Sequence, residues 1–443
     1  MFKPIVAIVG RPNVGKSTFF NKIVGKRIAI VQDEPGVTRD RVYGDAEWNG
    51  VEFSLVDTGG IDLKSDDVMK KHILTQAQIA IDIADVILFF TDSKEGLVPA
   101  DHDVADMLRK SKKPVVLVVN KLDNFDMNEV YEFYNLGLGD PYPISAEQKR
   151  GLGDLLDKIV SLLPKEGKTK ENQKHGLKIA IVGKPNVGKS SLTNKLVGTN
   201  RVIVSNIAGT TRDAVEVPFK RNGKDYLLID TAGLRRKRSI EDDTVERYSV
   251  FRTLESIRRA DVVLIVFDVT QEISEQDVRI AGLVHEEQKP SVVVLNKWDA
   301  VEKDTYTQNK IKEKLNIDLA YMSYFKPVFT SAETGKNIDK LMETVEEVRT
   351  NNTKRITTGT LNEIIQNALA TTPAPQKGGK RLKVMYATQT GIEPPTFVLF
   401  VNDTDLMTNS YQRHIENSIR KAVDFSGTPI RITTKSRGEE DTI

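Results

Sequence analysis

The chain has no cysteine among its 443 residues. Disulfides, thiolate nucleophiles and cysteine-based zinc sites are therefore excluded, and prenyl and palmitoyl anchors with them. Histidine is scarce, five in all, and scattered without the spacing of a metal site. Position 2 is Phe2, where N-myristoylation needs a glycine. No apolar run approaches the roughly 20 residues that span a bilayer. The opening "MFKPIVAIVG" runs straight into a motif, which leaves no room for a signal peptide. A cytoplasmic monomer without a membrane partner is expected. Apolar content of 39% and charged content of 28% fit a globular protein, and a norm of about 150 residues per domain predicts roughly three domains.

The net charge of +2 hides an asymmetry. Residues 1–166 hold 21 Lys+Arg against 26 Asp+Glu, a net of −5. Residues 354–437 hold 12 against 6, a net of +6, before the acidic "EED". A basic terminal domain on a near-neutral chain points towards nucleic acid, against the plainer reading of a solvated basic face.

What the chain does have is a repeat. "GRPNVGKS" (Gly10–Ser17) returns as "GKPNVGKS" (Gly183–Ser190), 173 residues later. At the same offset "PGVTRD" (Pro35–Asp40) meets "AGTTRD" (Ala208–Asp213), and "LVDTGG" (Leu55–Gly60) meets "LIDTAG" (Leu228–Gly233). "VVNKLD" and "VLNKWD" follow at an offset of 176, and "SAE" at Ser145 and Ser331 at 186. The growing offset puts insertions in the later loops of the second copy, where length costs little. Each copy alternates unbroken β-branched runs with helical stretches, as in "VILFFTD" and "VVLIVFD". Such runs read as parallel strands buried on both faces, with polar residues at the carboxyl ends where open α/β sheets bind ligands. The predicted organisation is an α/β domain over 1–164, a Lys-rich linker over 165–176, a second α/β domain over 177–352, and a compact α+β domain over 353–443.

A Gly-rich turn between strand and helix that ends in Gly-Lys-Ser is a phosphate cradle. Its residues are Gly10, Arg11, Pro12, Asn13, Val14, Gly15, Lys16, Ser17 and Thr18, and in the second copy Gly183, Lys184, Pro185, Asn186, Val187, Gly188, Lys189, Ser190 and Ser191. Lys16 and Lys189 are expected on the β/γ-phosphates, with Ser17 and Ser190 on Mg²⁺. Thr38 and Thr211 are expected to reach Mg²⁺ and the γ-phosphate. Asp57 and Asp230 end strands and suit a Mg²⁺-bound water, and the N–H groups of Gly60 and Gly233 would sense the γ-phosphate. Thr58, Gly59, Thr231 and Ala232 complete these switch turns. Asp123 and Asp299 would accept from guanine N1–H and the 2-amino group, which adenine cannot supply. Asn120 and Asn296 would tie that loop to the base and the cradle, and the stems of Lys121 and Lys297 would pack on the ring. The backbone at Ser145-Ala146 and Ser331-Ala332 would offer N–H groups to guanine O6. Where many GTPases carry a Gln that orients water, this chain has Ile61 and Leu234, so slow turnover is expected. Asn13 and Asn186 are candidate ligands for a monovalent cation.

On these motifs the chain resembles the Der (EngA) GTPases of the Era-like TRAFAC group, over essentially its whole length. The resemblance implies a cytoplasmic bacterial GTPase with bound GTP or GDP and Mg²⁺, which assists maturation of the large (50S) ribosomal subunit and binds its rRNA. It implies a KH-like third domain, hydrophobic residues in place of the catalytic Gln, and potassium near Asn13 and Asn186. The third domain departs from an ordinary KH domain, whose GxxG loop lies between two helices. Its one glycine pair, "KGGK" (Lys377–Lys380), lies between a helix and a strand. Lys377, Lys380, Arg381 and Lys383 remain candidates for phosphate contact, as does the basic "LRRKRS" (Leu234–Ser239). A P-loop kinase has no need of two NKxD motifs, and a translation factor would add β-barrel domains. A trafficking or signalling GTPase that does not bind ribosomes is the remaining alternative.

Overall fold

A computed structural model describes residues 4–24, 43–57, 69–123, 127–164, 176–198, 216–229, 252–302, 304 and 306–436. These fall into two compact units, one built on the first sheet and the other holding the second sheet together with the C-terminal domain.

The first sheet contains β1 (Ile5–Gly10), β2 (Tyr43–Trp48), β3 (Val51–Asp57), β4 (Val86–Asp92), β5 (Val115–Asn120) and β6 (Tyr142–Pro143), in the order β2-β3-β1-β4-β5-β6. All neighbours are parallel except β2 and β3, which form a hairpin. Alternate residues of the strands feed two cores. Ala7, Val9, Phe89 and Val119 pack towards helices Met69–Ile83 and Pro99–Lys110. Val6, Ile8, Phe90 and Val118 pack towards helices Lys16–Val24 and Leu152–Leu162. Burial on both sides is why these runs are apolar at every position rather than at every second one.

The second sheet repeats the plan with β7 (Leu177–Val182), β8 (Val217–Arg221), β9 (Lys224–Ile229), β10 (Val262–Asp268), β11 (Ser291–Asn296) and β12 (Lys326–Phe329), in the order β8-β9-β7-β10-β11-β12. The antiparallel edge is the one feature that the strand runs do not announce. Asn49-Gly50 (φ 50° and 76°) and Asn222-Gly223 (φ 49° and 77°) turn the two hairpins. A two-residue turn with both φ positive suits the right-handed twist of the flanking strands, and Asn-Gly is the pair that adopts it most readily.

The C-terminal domain runs from helix Thr358–Thr371 through a short hairpin, β13 (Gln376–Lys377) and β14 (Lys380–Arg381), to β15 (Val384–Gly391) and β16 (Thr396–Val401). Helix Asn409–Ala422 and β17 (Arg431–Ser436) follow. The sheet order is β15-β16-β17, with β16 and β17 parallel. Ala387, Phe397, Leu399 and Ile432 point from one face of the sheet into a core capped by Leu361, Ile365, Ile415 and Ile419 of the two helices. Gly378 and Gly379 (φ 56° and 77°) form the hairpin turn, so the KGGK segment is a β-turn and not a helix-to-helix clamp. Among the described residues no helix is long and apolar enough to cross a membrane.

This domain is fastened to the second sheet. The Ser291 N–H donates to Gly427 O (2.8 Å), and the Gly427 N–H donates to Tyr324 O (2.6 Å). Asn351 Nδ2 donates to Ser426 O (3.1 Å), and Lys354 Nζ to Asp424 O (2.8 Å). The Arg420 guanidinium lies 4.9 Å from the centre of the Tyr324 ring, whose hydroxyl is 3.0 Å from His285 Nδ1.

Candidate functional site

Both P-loops leave the carboxyl end of a central strand and close on the first turn of a helix. Lys16 folds back over its own loop, and Nζ donates to Gly10 O (2.6 Å) and Arg11 O (2.5 Å). Lys189 does the same with Gly183 O and Lys184 O, each at 2.6 Å. Burial lowers both ammonium groups to a pKa of about 8. Each lysine stays charged near neutral pH, held over a Gly-rich turn by two carbonyls where an anion can meet it. Asn13 and Asn186 stand exposed at the loop apices with φ of 64° and 66°.

The NKxD segments knit the loops together. Asn120 Nδ2 donates to Val14 O (2.8 Å), and Asn120 Oδ1 accepts from the Ala146 N–H (2.9 Å). Asn296 repeats this with Val187 O (2.9 Å) and Ala332 N–H (3.0 Å). One buried carboxamide thus joins the P-loop to the SAE loop in each copy. The approach is so close that a Cβ on Gly15 would lie 2.1 Å from Asn120 Nδ2, and one on Gly188 would lie 2.3 Å from Asn296 Nδ2. Glycine is required there for space as well as for its φ of 93° or 94°.

Ser145 and Ser331 donate their N–H groups to Arg150 O (3.1 Å) and Lys336 O (3.2 Å). All four N–H groups that the sequence offers to guanine O6 are therefore engaged within the chain. Asp123 accepts from Lys94 Nζ (2.7 Å) and from Ser145 Oγ (2.9 Å), and these bonds hold its carboxyl below the usual range. Asp299 is exposed at the matching place in the second copy. Ser17 Oγ lies 2.8 Å from Asp57 Oδ2, which brings a hydroxyl and a carboxylate together beside the first P-loop. Ser190, Thr18 and Ser191 are exposed at the helix starts, and Pro12 and Pro185 on the loops. Thr38, Thr58, Gly59, Gly60, Ile61, Thr211, Asp230, Thr231, Ala232, Gly233 and Leu234 lie outside the described residues, as do the basic segment 234–239 and residues 165–175 of the expected linker.

The structure adds two pairs of carboxylates that the motifs do not contain. Asp92 and Asp268 end β4 and β10, nearly fully buried, and anchor Lys121 (2.5 Å) and Lys297 (2.6 Å). Their place at a strand's polar end was the visible signal. Asp101 and Asp277 are also buried, each at the third position of a helix. Asp101 Oδ1 holds Arg11 Nε at 2.9 Å, and Asp277 Oδ2 holds Lys184 Nζ at 2.7 Å. Arg11 also meets Glu95 (2.6 Å), and Lys184 reaches Ser274 Oγ (3.4 Å). The second residue of each P-loop is clamped to the helix after the neighbouring strand.

The comparisons with known proteins agree with the repeat. A family described as "50S ribosome-binding GTPase" matches residues 5–121 and again 178–297. "KH-domain-like of EngA bacterial GTPase enzymes, C-terminal" matches residues 355–435. The chain is similar to GTPase Der of Agathobacter rectalis, at 53% identity over 100% of both chains. It is also similar to GTPase Der of Pelotomaculum thermopropionicum, at 54% identity over 99% of this chain and 100% of that one. With two cradles of one build, a KH-like end and relatives that match from end to end, the chain belongs to the Der (EngA) family of GTPases.

Proposed function

We propose that the chain is a two-site GTP switch of the cytoplasm that binds large-subunit rRNA in one nucleotide state and assists assembly of that subunit. The observation that carries the two-site reading is the repeated network in which Asn120 or Asn296 links P-loop to SAE loop. A network that joins a phosphate cradle to a base-reading loop suits a nucleoside triphosphate, and the carboxylates of Asp123 and Asp299 suit guanine.

Ser17 and Asp57 present hard oxygen donors side by side, the set that Mg²⁺ prefers. They would hold the ion in the first site, with Thr38, and Ser190, Asp230 and Thr211 would hold it in the second. When bound, the ion neutralises charge on the phosphate oxygens. Lys16 and Lys189 neutralise the rest, and Gly60 and Gly233 report the γ-phosphate. With Ile61 and Leu234 in place of a Gln, water activation falls to another element, and a potassium ion on Asn13 or Asn186 would supply positive charge there. The basic C-terminal domain, at +6 over residues 354–437, is the RNA-facing part, and the protein works as a monomer.

The test has two arms. Asp123→Asn and Asp299→Asn are each expected to weaken GTP at their own site and favour xanthosine triphosphate; unchanged GTP affinity with no xanthine gain refutes the base assignment. GTP turnover is expected to rise when Na⁺ is exchanged for K⁺ at matched ionic strength, and Asn13→Ala and Asn186→Ala to remove the rise in their own domains. Equal rates in the two salts would dispose of the cation.

A further inference from the structure

We propose that the face of the C-terminal sheet opposite its two helices, centred on Tyr386 and Phe400, binds unpaired RNA bases by stacking. The proposal rests on the reading that this domain works on rRNA. A KH domain's usual backbone clamp is a GxxG loop between helices, and here the glycine pair is spent on the β13–β14 turn. The RNA surface has to be built elsewhere.

Strand register shows where. Tyr386 pairs with Phe400, and Phe400 with Lys435. The next row, Ala387 with Leu399, points the opposite way into the core. The Tyr386 and Phe400 rings lie parallel, with centroids 4.1 Å apart and planes at 12°. Tyr386 is 48% exposed and Met385 41%. Tyr386 lies on the edge strand β15 with Met385 exposed beside it and Phe400 stacked against it on β16, and an apolar group of this kind, open to water, marks a contact surface.

The charge says which partner. The three strands, "VMYATQTG", "TFVLFV" and "RITTKS", contain no Asp or Glu. Lys435 stands exposed on the same row as the rings. At the sheet edge Lys383 is held by Asn402, whose Oδ1 accepts the Lys383 N–H (2.8 Å) while its Nδ2 donates to Arg381 O (3.0 Å). One polar side chain thus fixes the backbone that carries two exposed cations. Aromatic rings on strands that carry cations and no Asp or Glu are the chemistry of single-stranded nucleic acid, where bases stack and phosphates pair with Lys and Arg.

The full-length chain would be titrated with a 12-nucleotide oligouridylate, with a duplex RNA of equal length, and with large ribosomal subunits. The single strand is expected to bind better than the duplex. Tyr386→Ala should weaken it about tenfold or more, the usual loss for one stacked base, and Tyr386→Phe should retain it. Lys435→Gln should lower the slope of log affinity against log salt by about 1. Tyr386→Trp should lose Trp fluorescence on stacking. Subunits bound by the parent chain and equally by Tyr386→Ala, with unchanged oligouridylate affinity, would overturn the platform alone. No binding of the parent chain to subunits in any nucleotide state would overturn the ribosomal reading instead. Tighter binding to ribosomal proteins stripped of RNA than to oligouridylate would also overturn the platform.

Discussion

Arg11 and Lys184 hold the P-loops by buried ion pairs, and the energetics of such pairs are lopsided. A buried pair contributes little net stability, but removal of one partner leaves a desolvated charge and costs about 3–5 kcal/mol. Burial already pushes the Asp101 carboxyl up, with Arg11 opposing it, so that carboxylate depends on its cation. Arg11→Met is therefore expected to lower unfolding free energy by about 3 kcal/mol or more, and Arg11→Met with Asp101→Leu to recover most of it. Denaturant titration of the three variants checks this; an additive double variant would refute the pairing. Lys16 and Lys189 give a pH prediction. Their free-state pKa of about 8 rises when phosphate binds, so affinity for GTP is complete below pH 8. Above pH 8 it falls, by at most about tenfold per unit for each site. A titration with a fluorescent GTP analogue from pH 7 to 9 would read the decline. The P-loop and NKxD residues were legible because each motif is local and its chemistry dictates its letters. Asp101 and Asp277 were not, since their contact with a loop some 90 residues earlier exists only because β1 lies beside β4, and β7 beside β10.

At the scale of elements, Asn-Gly marks the hairpins β2–β3 and β8–β9 in the sequence, whereas nothing local in "RLKVMYATQT" (Arg381–Thr390) marks the break between β14 and β15. Its break lies at Leu382, whose N–H turns back to Pro375 O (2.9 Å) while Asn402 holds its neighbours. That depends on residues twenty positions away and leaves no local trace. The loop 424–428 is a tight seam between the C-terminal domain and the second sheet. Gly427 has φ of 73°, and a Cβ there would lie 2.2 Å from Val348 Cγ2. Gly427→Ala is expected to cost about 1–3 kcal/mol in overpacking and backbone strain. Gly359→Ala, in a helix with open space around it, is expected to be neutral or stabilising by up to about 1 kcal/mol. Equal midpoints of thermal unfolding for the two variants would refute the seam. Burial depresses the His285 pKa, and Arg420 nearby lowers it further. A depressed folded value means that stability is present above the ordinary histidine range near 6.5 and is lost as pH falls below it. Thermal scans at pH 7 and 5 are expected to show a larger loss for the parent chain than for His285→Gln.

For the whole molecule, duplication puts two GTPase segments on one chain. Binding to large ribosomal subunits is expected to be strong with a non-hydrolysable GTP analogue and weak with GDP, and to fall steeply with salt as phosphate contacts are screened. Thr38→Ala and Thr211→Ala should each weaken it, and sedimentation with purified subunits measures both; equal binding with GDP and the analogue would end the coupling idea. The seam has a mechanical consequence. Ser291, which grips Gly427, opens β11, and Asn296, which grips the second P-loop, closes it. Six buried residues, a strut of about 17 Å at strand rise, join the second P-loop to the C-terminal domain. The C-terminal domain is thus keyed to the second sheet rather than tethered to it by a belt. Spin labels on either side of that key should keep one separation through every nucleotide state.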